Sequence, residues 1–216
     1  MKKVLELVFI LDRSGSMSGL EKDTIGGFNS IIDKQKQLHG DDVIVSTVLF
    51  DHETKVVHNR VKIEDIEPMD ETTYYVGGST ALLDAVGGAI EHTKRVHQLL
   101  GDVDKPEAVM YIITTDGQEN ASKLYQRKHI KRLIEAQQEK GWEFIFLGAN
   151  IDAFADARSY GIRQDRTVQY MHDDVGTRHM YESLNEAIHM KRSAKNISPE
   201  WHDNANSDFK KRSKSK

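Results

Sequence analysis

A chain of 216 residues fits one large domain better than two small ones at ~150 residues each. Hydrophobic residues at 38%, charged residues at 30% and only three prolines exclude a disordered or low-complexity protein, and a formal charge of −4 gives no general electrostatic case for a nucleic-acid or anionic-membrane binder. The lack of cysteine removes disulfide frameworks, thiolate zinc sites and cysteine nucleophiles, and fits a cytoplasmic setting.

In chain order, Met1-Lys2-Lys3 and the apolar run 4–11 superficially resemble a signal peptide. Glu6 interrupts the run, which meets Asp12-Arg13 rather than a small-residue cleavage site, and no segment approaches the ~20 apolar residues of a membrane span. The run reads as a buried strand. Residues 19–38 follow with Phe28, Ile31, Ile32 and Leu38 mostly on one side of a helix, and Gly40 is placed to end it. A strand over 42–50, a short turn and a second strand-like run over 54–63 predict a hairpin, hence one antiparallel edge strand. The segment 80–100 is helical in period, although Gly87-Gly88 inside it cost ~1 kcal/mol each relative to alanine, a cost that close packing against a sheet would explain.

Strands are then expected at 107–114, 142–147 and 167–170, and helices at 122–140, 151–160 and 175–195. This alternation predicts an α/β fold, a doubly wound and mostly parallel sheet with one antiparallel edge strand and helices on both faces. A single domain is expected over 1–200. Residues 201–216, with five positive charges in Lys210-Lys211-Arg212-Ser213-Lys214-Ser215-Lys216, read as a basic, unstructured tail.

In such sheets ligands bind outside the carboxyl ends of the strands. Three loops there carry oxygen side chains: Asp12-Arg13-Ser14-Gly15-Ser16 after the first strand, Gly77-Gly78-Ser79-Thr80 at the start of a helix, and Thr114-Thr115-Asp116-Gly117 after the central strand. All are hard donors, so an ion held among them would be of the magnesium, manganese or calcium type rather than zinc or copper. Two carboxylates supply charge, and hydroxyls leave the ion able to take one more acidic oxygen.

The pattern Asp12-x-Ser14-x-Ser16, then Thr80, then Asp116 resembles the metal-ion-dependent adhesion site of von Willebrand factor A domains at all five positions. The flanking wording of residues 9–17, 78–85 and 113–117 is similar to that of bacterial or phage members. The resemblance implies direct contacts to Mg2+, or Mn2+ or Ca2+, from Ser14, Ser16 and Thr80, and direct or water-mediated contacts from Asp12 and Asp116. It also implies an unidentified partner protein whose glutamate or aspartate completes the shell, with an AAA+ ATPase or larger assembly nearby, and neither nucleic acid nor membrane as a specific partner.

Asp84, one helical turn beyond Thr80, is a candidate acceptor behind the metal, and Gln118, Glu119 and Asn150 are candidates for the rim that meets the partner. Asn120 or Ser122 as a helix cap, and Asp152 as a helix start, are the plainer readings of those residues. His92 and His97, and His172 and His179, lack the spacing of a zinc helix and read as solvated or hydrogen-bonded histidines. Function therefore points to a non-enzymatic, metal-dependent protein-binding module. The alternative is a haloacid-dehalogenase-like phosphohydrolase, whose nucleophilic aspartate would also end the first strand; Ser14 stands where such enzymes resemble Asp-x-Asp and cannot act as acid and base.

Overall fold

The apolar run that opens the chain forms strand β1 (Val4–Asp12), flanked by two parallel neighbours, β2 (Asp42–Phe50) and β4 (Ala108–Thr115). A strand so placed is covered on both faces, which is why nearly every residue in it is apolar. The structure, a computed structural model, describes residues 3–38, 42–149, 152–193 and 195–213. The expected helix stop at Gly40 and the candidate rim residue Asn150 lie outside these described residues. Beyond β4, β5 (Glu143–Ala149) and β6 (Thr167–Tyr170) continue the sheet in parallel, while β3 (Thr54–Lys62) pairs antiparallel with β2. The order is β3-β2-β1-β4-β5-β6, so the fold is the expected doubly wound, mostly parallel sheet with one antiparallel edge.

Alternate residues of β1 point into two different cores. Leu5, Leu7, Phe9 and Leu11 pack with Phe28, Ile31 and Ile32 of helix α1 (Glu21–Lys36) and with Met180, Leu184 and Ile188 of the fifth helix described below, Asp174–Arg192. Val8 and Ile10 face α2 (Leu82–Leu99), α3 (Arg127–Gln138) and α4 (Ala153–Ser159). Glu6, on this second side, is wholly buried and held by Arg60 of β3 and His97 of α2. The interruption noted in the sequence is thus an ion-paired core residue. Edge strand β3 keeps Lys55, Arg60 and Lys62 along its length, charges of the kind that discourage pairing with another chain.

The fifth helix, α5 (Asp174–Arg192), crosses α1 closely, because a Cβ at Gly27 would come within 2.0 Å of the Tyr181 ring. Gly87 in α2 has a related reason, although its neighbour is Tyr125 of the loop before α3, 2.6 Å from where a Cβ would stand, and not the sheet. Gly88 has open space around it, and nothing in the packing accounts for it.

The expected unstructured tail is corrected by a sixth helix, α6 (Asp203–Ser213). Trp201 just before it is buried and donates its indole N–H to the Asp165 carbonyl at 2.9 Å, and Ala205 joins the core beside β6. Lys210, Lys211 and Arg212 occupy the last helical turn, where positive charge faces the negative end of the helix dipole. Arg212 also binds Asp208 and Asp173. Counting charges in this segment overlooked the tryptophan that anchors it. Among the described residues no helix is long and apolar enough to cross a membrane.

Candidate metal centre

β1 and β4 are neighbours, yet the chain leaving β1 enters a helix on one face of the sheet and the chain leaving β4 enters one on the other. The loops part there and leave a crevice, the usual ligand position in this architecture. Asp12 is the last residue of β1 and Thr115 the last of β4, with Asp116 directly after it.

Asp12 is fully buried; one carboxylate oxygen accepts from the Ser14 backbone N–H at 2.7 Å and the other from the Thr115 hydroxyl at 2.5 Å. Tyr74 donates its hydroxyl to the Asp12 carbonyl at 2.5 Å. The glycine loop is laced to the first loop by Gly15 N–H to the Gly78 carbonyl at 3.0 Å and Gly77 N–H to the Arg13 carbonyl at 2.9 Å. Gly78 takes a positive φ of 74° with the His52 ring packed against it, so a side chain there would be both strained and blocked.

These ties carry Thr80 into the crevice. The Ser14 and Ser16 hydroxyls lie 3.0 Å apart, and Ser16 donates to Asp116 Oδ1 at 2.7 Å. A Cβ on Gly117 would stand 2.8 Å from the Ser16 hydroxyl and 3.1 Å from that of Thr80, so this glycine is what lets the two hydroxyls approach from either side. All five sequence-predicted ligands therefore gather at one point. Ser16 is exposed while the other four are buried, which leaves the cluster open on one side.

Burial pushes the Asp12 carboxyl up to about 6, with the Asp116 charge adding to the effect and hydrogen bonds from Ser14 and Thr115 opposing it. Asp116 is likewise raised by burial, opposed by Ser16 and His172. The basic group next to Asp12 in sequence, Arg13, pairs instead with Asp51 at 3.0 Å. A divalent cation is the charge this cluster lacks, and the donor set fits one. Among the described residues no three His, Asp or Glu side chains gather closely enough to hold an ion, so an ion here would depend on the hydroxyls of Ser14, Ser16 and Thr80.

The expected rim is only partly a rim. Glu119 turns inward: its carboxylate accepts from the N–H groups of Leu83, Ala121 and Ser122 and from the Ser122 hydroxyl. Ser122 accepts from the Asp84 N–H at 3.1 Å in the first turn of α2, and Asn120 accepts from the Thr80 N–H at 2.9 Å just before that helix, so neither caps the next helix. Asp84 accepts from Lys123, Leu124 and Tyr125 N–H groups, which pins this loop and delays α3 to Arg127. Among the described residues its carboxylate hydrogen-bonds this loop and not Thr80. Gln118 is exposed, and Asp152 caps α4 through the Ala155 N–H at 3.0 Å. One neighbour was missed: His172, beyond β6, places Nδ1 3.2 Å from Asp116 Oδ2. Its position just after a strand, at the same end of the sheet as the three loops, was the available signal.

No protein-family model matches the chain, and no curated protein matches it closely. Solved structures do. The chain is similar to proximal thread matrix protein 1 from the mussel byssus, solved with a zinc-occupied MIDAS motif, at 14% identity and a TM-score of 0.60 over 85% of this chain and 45% of that one. It is also similar to the vWF domain of the type V pili tip protein Mfa5 from Porphyromonas gingivalis, at 10% identity and a TM-score of 0.64 over 92% of this chain and 99% of that one. A third likeness is to the manganese-loaded TRAP protein of Plasmodium vivax, at 15% identity and a TM-score of 0.57 over 79% of this chain and 69% of that one. The chain spans less than half the length of the mussel protein. At these identities the likeness shows the fold, and that fold is the von Willebrand factor A domain.

Proposed function

We propose that this chain is a non-enzymatic, metal-dependent protein-binding module whose Mg2+ or Mn2+ captures an acidic side chain of a partner. The observation that carries this reading is the convergence of Ser14, Ser16, Thr80 and Asp116 around Gly117, with the buried Asp12 behind them and, among the described residues, no cation paired with Asp12. Ser14, Ser16 and Thr80 would hold the ion, and the two aspartates would supply charge. The ion would offer an electrophilic position on the open side near Ser16, where a carboxylate can complete the shell. A zinc-occupied MIDAS motif in one structural neighbour and the manganese-loaded state of another support a divalent cation here.

The side-chain connectivity favours binding over hydrolysis. Ser16 and His172 both contact Asp116, so the carboxylate lies between hydroxyl and imidazole, whereas a nucleophilic serine needs the imidazole between itself and the carboxylate. The test is capture of a partner from lysate by the immobilised, Mg2+-loaded chain. Retention that is lost with chelator and with Asp12→Ala is expected; equal retention in all three would overturn the reading. Turnover of a generic phosphate monoester, abolished by Asp12→Asn, would revive the phosphohydrolase alternative.

A further inference from the structure

We infer that His172 is a positioning residue for Asp116, an inference that rests on the metal-centre reading above. The β5–β6 register sets Tyr170 opposite Ala149, level with the carboxyl end of the sheet, and the chain leaving β6 then carries His172 across the top of β5 to the loop after β4. There the Asp116 carboxylate is approached from both ends. Oδ1 accepts from the Ser16 hydroxyl at 2.7 Å, and Oδ2 faces His172 Nδ1 at 3.2 Å.

His172 Nδ1 is buried and its approach to Oδ2 falls short of hydrogen-bond geometry, so the nitrogen has no hydrogen-bond partner. A buried polar atom in that state calls for an explanation. Were Asp116 to serve an ion, directly or through water, Nδ1–H of His172 would be the donor placed to close onto Oδ2 and hold the carboxylate. Groups that hold a metal-binding side chain from behind are typically worth about 10–100-fold in metal affinity.

The imidazole is itself held in place. Asp173, the next residue, caps α5 through the Gly176 N–H at 2.9 Å, and Arg212 of α6 donates to Asp173 Oδ1 at 3.1 Å. Gly176 packs directly on the Met171 carbonyl, where a Cβ would come within 2.3 Å. The turn carrying His172 is therefore clamped on both sides, and α6 takes part in the clamp.

The test measures Mn2+ affinity of the metal-stripped chain, from the electron paramagnetic resonance of the free ion, for the parent, His172→Ala, His172→Leu, His172→Asn and Asp12→Ala, with the metal-free melting temperature of each. His172→Ala and His172→Leu are expected to weaken Mn2+ binding about tenfold or more. His172→Asn, whose amide N–H stands where Nδ1–H does, is expected to recover most of that loss. Leucine serving as well as asparagine would reduce His172 to packing and overturn the inference, as would unchanged affinity in His172→Ala while Asp12→Ala abolishes binding. An Asp12→Ala chain that binds like the parent would sink the metal-centre reading itself, and a parent that binds no Mn2+ would remove both.

Discussion

β1 carries two buried acids, and the chain treats them oppositely. Glu6 and Asp12 lie on the same strand, point to the same face and are both fully buried. Glu6 has its charge answered from within: Arg60 reaches one carboxylate oxygen across β2, His97 sits 2.6 Å from the other, and the edge of Trp142 closes over His97. Arg60 adopts a left-handed backbone, φ 54°, where the β2–β3 register shifts, so the backbone is bent out of its ordinary range at the residue that makes this pair. Among the described residues Asp12 is met by a backbone N–H and by the hydroxyls of Ser14 and Thr115, beside a second acid. One end of the strand is closed by the protein's own guanidinium and imidazole, and the other is left short of positive charge. A deficit of that kind, at the open end of a sheet, is what distinguishes a binding site from a stabilising ion pair.

The largest effect should come from breaking the closed end. Glu6→Leu strands Arg60 and His97 without their carboxylate and is expected to cost about 3–5 kcal/mol in urea unfolding, with Mn2+ affinity untouched. The open end should answer with the opposite sign. Asp12→Asn removes a carboxyl held at about 6 against an ordinary 3.8, so the metal-free chain is expected to gain about 1–3 kcal/mol at neutral pH while losing metal binding.

The same acid sets a pH window. Because its folded-state value lies above the unfolded one, its contribution to stability is fully present below about 3.8 and is lost as pH rises through about 6. Melting of the metal-free parent should therefore show a loss between about pH 4 and pH 6 that Asp12→Asn flattens and that saturating Mg2+ offsets at the upper end. A parent and variant with parallel pH profiles would show that Asp12 is not the unanswered charge. Asp84→Ala should cost about 1–2 kcal/mol by leaving three loop N–H groups without their acceptor, read as faster amide exchange at Lys123, Leu124 and Tyr125. The smallest effect should come from replacing both ends of the closed pair. Glu6→Leu with Arg60→Met is expected to lie within about 1 kcal/mol of the parent, since apolar packing can substitute for a buried ion pair.

Much of the fold is legible in the sequence because it is local. Strands β1, β2, β4 and β5 are mostly apolar runs, and the candidate ligands Asp12 and Asp116 stand at the carboxyl ends of two of them, so periodicity and punctuation find both. Thr80 is legible through its glycine pair. What escapes is long-range pairing of polar groups. Nothing near Glu119 says that its carboxylate will cap the start of α2, and the strand end before His172 places it at the right end of the sheet without saying that it will reach Asp116 across β5. The C-terminal helix escapes for a related reason: its anchor, Trp201, stands alone outside any apolar period, while the charges after it dominate the local composition.

We propose that the open end of β1 is completed by a divalent cation on the hydroxyls of Ser14, Ser16 and Thr80 and the carboxylates of Asp12 and Asp116. Calorimetric titration of Mg2+ and Mn2+ into the metal-stripped chain, beside Asp12→Ala, Thr80→Ala and Glu6→Leu, tests it most directly. Saturable binding that the Asp12 and Thr80 variants weaken at least about tenfold, and that the Glu6 variant retains, is the expected result. Absence of saturable binding at millimolar metal, or equal binding by all four proteins, would contradict it.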